Sequence, residues 1–80
     1  MASLNALHQI VSEVLRIPAD KISSETSIHK ADTWNSLTHI ELVVTIEERF
    51  HIQLTEDEIV SMTCIGEVER VLKNRGVLAS

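Results

Sequence analysis

The chain has 80 residues, a formal net charge of −5 and 44% hydrophobic residues, a composition typical of one small folded domain near the lower size limit for an unaided core. The negative charge and the scarcity of aromatic residues, Trp34 and Phe50 alone, exclude a nucleic-acid binder that stacks bases on a basic surface. The sequence has no run of about 18 apolar residues and no basic N-terminal leader, so neither a membrane span nor a secretory signal is expected.

The first predicted element is an amphipathic helix of about three to four turns, with Ser3 as its N-cap. Pro18 is expected to end this helix, because the residue before a proline avoids the helical region. The apolar positions recur at three- and four-residue spacing: Leu4, Leu7, Ile10 or Val11, Val14 and Leu15.

A long polar loop is predicted from Ile17 to Asn35. Loops of this length are uncommon in small domains and are usually functional or weakly structured crossovers. One short turn is expected at residues 20–22. Three isolated isoleucines are expected to attach the loop to the core: Ile17, Ile22 and Ile28.

The second helix is predicted from Ser36 to about Phe50, with Asn35 as its N-cap, because the side-chain oxygen can accept a backbone N–H of the first turn. Its apolar residues form two stripes. The first, expected to face the core, contains Leu42, Val43, Ile46 and Phe50, and the second contains Leu37, Ile40 and Val44. The second stripe is either buried in a broadly packed central helix or left exposed for a partner or a cavity entrance.

Residues 51–54 are interpreted as an extended connector with Ile52 and Leu54 inward. A strand is the other interpretation, but a single strand would have no partner here. Thr55 and Glu58 form a capping box that begins a short third helix.

A fourth helix is predicted from near Cys64 to Asn74 or Arg75, with Thr63 as its N-cap and Gly76 as its C-cap. The four helices predict an all-α fold, a small four-helix bundle of three main helices and one short one with a long first loop. Residues 1–80 are expected to form a single domain.

Ser36 stands at the predicted start of the second helix, where unpaired amides and the positive end of the helix dipole stabilise an anionic group. His39 follows three residues later, but the sequence offers no orienting acid, oxyanion hole or strained turn around the serine. The pattern therefore favours a serine that another protein modifies over a catalytic nucleophile.

The histidines and the cysteine indicate no further chemistry. No histidine pair has the i, i+4 spacing of a helical metal site, and no Cys-x-x-Cys motif exists. Cys64 is interpreted as a small, partly buried residue, and a lone cysteine fits a reducing cytoplasm. Each histidine is interpreted as a surface polar residue: His8, His29, His39 and His51.

The run Trp34-Asn35-Ser36-Leu37, followed by Ile40-Glu41-Leu42, resembles the attachment motif of acyl carrier proteins, usually Asp-Ser-Leu before an apolar–Glu–Leu helix. The resemblance covers nearly the whole chain and includes residues 47–54 and 63–68. It implies the crossover topology of the bundle.

The resemblance also implies that Ser36 receives covalent 4′-phosphopantetheine from coenzyme A through a phosphopantetheinyl transferase. The thiol of that group would hold an acyl or aminoacyl group as a thioester. The chain would then be a discrete, monomeric, non-enzymatic carrier in fatty-acid or secondary-metabolite biosynthesis, loaded by a ligase or transferase and serving downstream synthases or transferases. The alternative is an acidic helical interaction module that never receives the group.

An acidic surface is expected between positions 41 and 58, where six carboxylates stand against Arg49. Such a surface either attracts basic patches on partner proteins or only keeps the chain soluble. The resemblance implies recognition by partner enzymes here and at the second apolar stripe. The expected partner-recognition residues are Asn35, Leu37, Ile40, Glu41, Val44, Glu47, Glu48, Glu56 and Glu58.

Asn35 departs from the family pattern, which has an aspartate at this position. Asparagine is an equally good N-cap, but the resemblance associates the lost carboxylate with the metal ion and basic residues of the transferase, so slower modification is expected. Thr38 likewise stands where many members carry an acid. Trp34 is interpreted as a staple between the loop and the first turns of the helix, or as part of the surface that partners contact.

Overall fold

The order of helices along the chain agrees with the predicted all-α bundle. The structure, a computed structural model, describes residues 3–28 and 30–78, so His29 lies outside the described residues. The helices are α1 (Leu4–Leu15), α2 (Ser36–Phe50), α3 (Glu56–Ser61) and α4 (Ile65–Asn74), with a short 3-10 turn at Ala19–Lys21. None of the described helices is long and apolar enough to cross a membrane.

Helix α1 begins as predicted and ends earlier than predicted. The Ser3 hydroxyl accepts a hydrogen bond from the Ala6 amide at 3.2 Å. The backbone turns left-handed at Arg16, with φ of 58°, so the helix has already ended before Pro18 can interrupt it. The prediction that Pro18 ends α1 is therefore wrong. The buried face of helix α1 consists of Leu7, Ile10, Val11 and Leu15, while Leu4 is exposed.

The long loop docks onto the start of α4. The Thr26 carbonyl accepts the Ile65 amide at 2.8 Å, and the Ser24 carbonyl accepts the Gly66 amide at 2.9 Å. These loop carbonyls pair first-turn amides of α4, and a Cβ at Gly66 would come within 3.2 Å of the Ser24 oxygen. The predicted cap Thr63 is wrong, because Cys64 occupies the N-cap position without a side-chain hydrogen bond.

Left-handed residues end α2 and α4. His51 has φ of 56° after α2, and an extended connector follows with Leu54 buried and Ile52 half-buried, as predicted. Gly76 has φ of 73°, and its amide bonds the Lys73 carbonyl at 3.0 Å. Arg75 occupies the C-cap position, so the prediction of Gly76 as the C-cap is wrong by one residue. Gly76 follows the cap, at a position where glycine adopts positive φ without strain.

The two apolar stripes of α2 have opposite environments. Most of the first stripe is buried, and Phe50 packs at the edge of the core. The second stripe is exposed, by 70% at Leu37, 55% at Ile40 and 45% at Val44. The second stripe is therefore left exposed and is not buried in a broadly packed helix, which agrees with the second of the two interpretations on this point. The three isoleucines of the loop attach to the core as predicted, with Ile22 buried and Ile17 and Ile28 packed against it.

Candidate functional site

Ser36 is the first residue of α2 and is exposed. Asn35 precedes it in an extended conformation, as the predicted N-cap. Its Oδ1 accepts hydrogen bonds from the amides of Leu37 at 3.0 Å and Thr38 at 3.1 Å. The side chain of the N-cap thereby fixes the turn on which Ser36 stands.

Thr38 completes a capping box that was not predicted from the sequence pattern. Its Oγ1 accepts the Asn35 amide at 2.9 Å and donates to the Thr33 carbonyl at 2.6 Å. The sequence feature that indicates this capping box is a threonine three residues after the N-cap asparagine, a position where Glu or Gln is usual. Residues 33–38 therefore form one closed turn, which we call the Ser36 turn.

The Ser36 turn leaves one amide for an anion. The backbone amides of Asn35, Leu37 and Thr38 all donate hydrogen bonds to side chains within the turn. The Ser36 amide, in contrast, has no hydrogen-bond partner among the described residues. A phosphodiester on Ser36 Oγ would lie beside this free donor and the positive end of a 15-residue helix. The residues present therefore fit a phosphate ester at this serine.

His39 is not the surface residue that was expected. Its Nδ1 accepts the Trp34 indole N–H at 3.0 Å, and its Nε2 donates to the Ile59 carbonyl at 2.9 Å. The indole can only donate and the carbonyl can only accept, so the imidazole carries its proton on Nε2. Both ring nitrogens are engaged, and neither is free to act as a base toward Ser36.

Trp34 packs the loop onto α2, as the staple interpretation predicted. Its ring is 2% exposed and stacks on the His39 ring with 6.1 Å between centroids. The other interpretation was that Trp34 forms part of the surface that partner enzymes contact. It is wrong, because the Trp34 side chain is buried.

The predicted acidic residues divide into free and bonded carboxylates. Glu41, Glu48 and Glu56 are exposed. Glu47 is half-buried, and its Oε2 accepts the Leu54 amide at 2.8 Å, so the expectation of a free surface charge is wrong for this residue. The reason is that the connector brings the Leu54 amide, which has no backbone partner, next to the Glu47 carboxylate.

Glu58 is also bonded within the chain. It accepts the Thr55 amide at 2.9 Å, which confirms the predicted capping box. It also pairs with Arg75 after α4, with Arg75 Nε at 2.9 Å. The hydrogen bond from Arg75, helped by the Thr55 amide, lowers the pKa of Glu58 from 4.5 to about 2.

The remaining candidate residues lie away from Ser36. His8 is half-buried and pairs with Glu69 at 3.4 Å, so the surface interpretation is wrong for it, whereas His51 is exposed and Cys64 partly buried as predicted. Within residues 3–28 and 30–78, no three His, Cys, Asp or Glu side chains cluster as metal ligands.

The fold and the site are those of a small helical bundle that presents an exposed serine at the start of α2. The family model described as "Phosphopantetheine attachment site" matches residues 5–72. The chain is 30% identical over 76 residues to an acyl carrier protein of Acidothermus cellulolyticus, covering 95% of this chain and 90% of the relative. The corresponding protein of Wolinella succinogenes is 26% identical over 73 residues, 91% of this chain and 96% of that protein.

The chain belongs to the acyl carrier protein family with a phosphopantetheine attachment site. It carries acyl groups as thioesters on 4′-phosphopantetheine and works with partner enzymes such as transferases and synthases, without catalysing a reaction itself. Membership confirms the predicted family, cofactor and carrier role, and it goes against the alternative of a module that never receives the group.

Proposed function

We propose that Ser36 is the residue that receives 4′-phosphopantetheine. The observation that supports this most is an exposed hydroxyl on the first residue of α2, next to the unpaired Ser36 amide, within a turn otherwise closed by Asn35 and Thr38. The bound group would supply a terminal thiol for the acyl thioester. The chain itself supplies an accessible oxygen, a fixed direction for the ester and a positive potential beside it.

Partner enzymes would dock on the exposed second stripe of α2 and the acids around it. Leu37, Ile40 and Val44 run from the Ser36 turn along one side of the helix, and Glu41 and Glu48 are exposed on the same helix. An apolar strip beside acidic groups suits a partner with an apolar patch rimmed by Lys or Arg. Asn35 and Glu56 belong to the same proposal, while Glu47 and Glu58 would act there chiefly by holding the helices that carry it.

The specific partners proposed are a phosphopantetheinyl transferase, an acyl- or aminoacyl-loading ligase or transferase, and downstream synthases or transferases. One domain over residues 1–80, working as a monomer, is sufficient for this role, because the arm delivers the substrate at high effective concentration to each docked enzyme. A reducing cytoplasm is the proposed compartment, since Cys64 is the single cysteine of the sequence.

Intact mass spectrometry after incubation with a transferase and coenzyme A tests the attachment residue. The native chain should gain the mass of one phosphopantetheine group. Ser36→Ala should fold normally, because Asn35 and Thr38 still close the turn, and should gain no mass.

Ser24→Ala is the matched control, since it removes an exposed serine hydroxyl from the loop and leaves the Ser24 carbonyl in place. It should be modified like the native chain. A Ser36→Ala protein that still acquires the group would place the attachment at another residue.

A further inference from the structure

One imidazole connects three segments around the Ser36 turn. Trp34 lies inside the turn, His39 lies just beyond it in α2, and Ile59 lies in α3. The side-chain hydrogen bonds of Asn35 and Thr38 stay within residues 33–38. The hydrogen bonds of His39 to Trp34 and to Ile59, at 3.0 and 2.9 Å, instead join the turn to α3.

This connection exists in only one charge state of His39. The neutral ring with its proton on Nε2 has an acceptor for the indole and a donor for the carbonyl. A protonated ring has a donor at both nitrogens, so its Nδ1–H would oppose the indole N–H of Trp34, which is 2% exposed. Protonation therefore breaks the contact with Trp34 and keeps the contact with Ile59.

The surroundings of His39 offer no counter-ion for a charged ring. The groups that face it are the Trp34 indole from the loop and the Ile59 carbonyl from α3, neither of which titrates near neutral pH. Across the described part of the chain, no carboxylate oxygen lies within 4.0 Å of its ring nitrogens, whereas His8 has Glu69 at 3.4 Å. On α2 the nearest acid in sequence is Glu41, which is exposed. On α3 Glu58 directly precedes Ile59, and its carboxylate is bonded to the Thr55 amide and to Arg75.

We propose that neutral His39 is a positioning residue for the modification at Ser36. It holds the Ser36 turn against α2 and α3, and protonation of its ring releases Trp34 and loosens the turn. The family membership does not assign this role to position 39. The connection stands on the geometry alone, while its effect on modification rests on the proposed attachment at Ser36.

Hydrogen exchange of the Trp34 indole N–H, followed by NMR on the full chain, tests the connection. The measurement is made at several pH values from about 8 to about 5. The comparison variant is His39→Gln, whose amide offers one acceptor and one donor and does not titrate. Exchange protection in the native chain should fall about tenfold relative to this variant as the pH falls, because a buried donor loses its partner.

His8→Gln is the matched control for exchange, because among the described residues His8 is the other half-buried histidine. This variant should leave the native pH profile of Trp34 unaltered. Equal protection in the native chain and in His39→Gln at every pH would overturn the proposed release of Trp34 on protonation. A profile that flattens in His8→Gln would assign the effect to His8 and overturn it equally.

Apo-to-holo conversion measured by mass spectrometry at the same pH values tests the positioning role. The ratio of the native rate to the His39→Gln rate cancels the pH dependence of the transferase itself. This ratio should fall about tenfold toward pH 5 if the turn must be held for transfer. A constant ratio would overturn the positioning role, even where the exchange data support the connection.

The outcomes separate this inference from the proposed attachment. Modification that persists in Ser36→Ala contradicts the attachment residue and, with it, the positioning role, while indole exchange still decides the connection.

If His39→Gln fails to fold, Trp34→Phe is the variant to use instead, because it keeps an aromatic ring and removes the indole N–H that opposes a protonated His39. The conversion rate of Trp34→Phe should then fall less than the native rate toward low pH, and an equal fall would overturn the proposal.

Discussion

Asn35 combines a structural role with a proposed functional one, and substitutions separate them. Its Oδ1 accepts two amides of the first turn of α2, which an aspartate can also do. Asn35→Asp should therefore change the free energy of unfolding by less than about 1 kcal/mol. The same change restores the carboxylate that the family usually places before the serine, so the rate of phosphopantetheine transfer to Ser36 should rise. Timed mass spectrometry beside thermal melts measures both.

Asn35→Ala is the control for that prediction. It removes both cap hydrogen bonds, so it should lose about 1 kcal/mol of stability and gain no transfer rate. An Asn35→Asp protein that is modified no faster than the native chain with several transferases would leave Asn35 as a helix cap alone.

Glu58 links the start of α3 to the end of α4, and its acid titration predicts a pH dependence of stability. Hydrogen bonds from Arg75 and Thr55 lower the pKa of Glu58 from 4.5 to about 2. A carboxyl whose pKa is lower in the folded chain stabilises the fold above pH 4.5, and this contribution is lost as the pH falls toward 2. Glu58→Gln should therefore unfold at lower denaturant than the native chain at neutral pH, with the difference shrinking over that acid range.

The matched control is Glu67→Gln, because Glu67 pairs with Arg70 on the exposed surface of α4 within one helical turn. Exposed pairs of this kind contribute little, so its unfolding midpoint should follow the native midpoint closely. A difference between Glu58→Gln and the native chain that stays constant from neutral pH to about pH 2 would contradict the assignment to Glu58.

The starts of the helices show what local sequence predicts. Asn35 and Thr55 cap their helices as expected because the bonded amides lie two or three residues away. The prediction that Thr63 caps α4 is wrong, because first-turn amides of α4 donate to carbonyls of the distant loop, at Ser24 and Thr26. Sequence patterns do not reveal which distant backbone groups come together, so this docking could be found only in the structure.

The same limit applies to the side chains around the site. Ser36 at an exposed helix start followed from local spacing and from the family motif, and the structure agrees with that geometry. The sequence predicts His39 and Glu47 as surface residues, but each hydrogen-bonds a backbone group that the fold brings near. His39 bonds the Ile59 carbonyl, and Glu47 bonds the Leu54 amide. A polar residue next to an apolar stripe can face either environment, and helical periodicity alone does not separate the two.

Charge placement over the whole molecule gives the last prediction. Glu41 and Glu48 are exposed on α2 and, unlike Glu47, make no side-chain hydrogen bond among the described residues. Each change to lysine alters the charge by two, so Glu41→Lys with Glu48→Lys takes the formal net charge from −5 to −1. Association with the transferase, followed by stopped flow, should slow about tenfold at low salt. The difference should narrow above about 0.1 M salt, where charges are screened beyond about 10 Å.

A second double variant distinguishes placement from net charge. Asp20→Lys with Glu25→Lys also gives −1, but these exposed acids belong to the long loop, outside α2 and α3. If partners dock on α2, this control should keep most of the native association rate, because steering depends on charges near the docking surface. Equal slowing of both double variants would mean that net charge alone steers association. Unchanged rates for Glu41→Lys with Glu48→Lys at low salt would mean that partners dock through the apolar strip of Leu37, Ile40 and Val44 without electrostatic help.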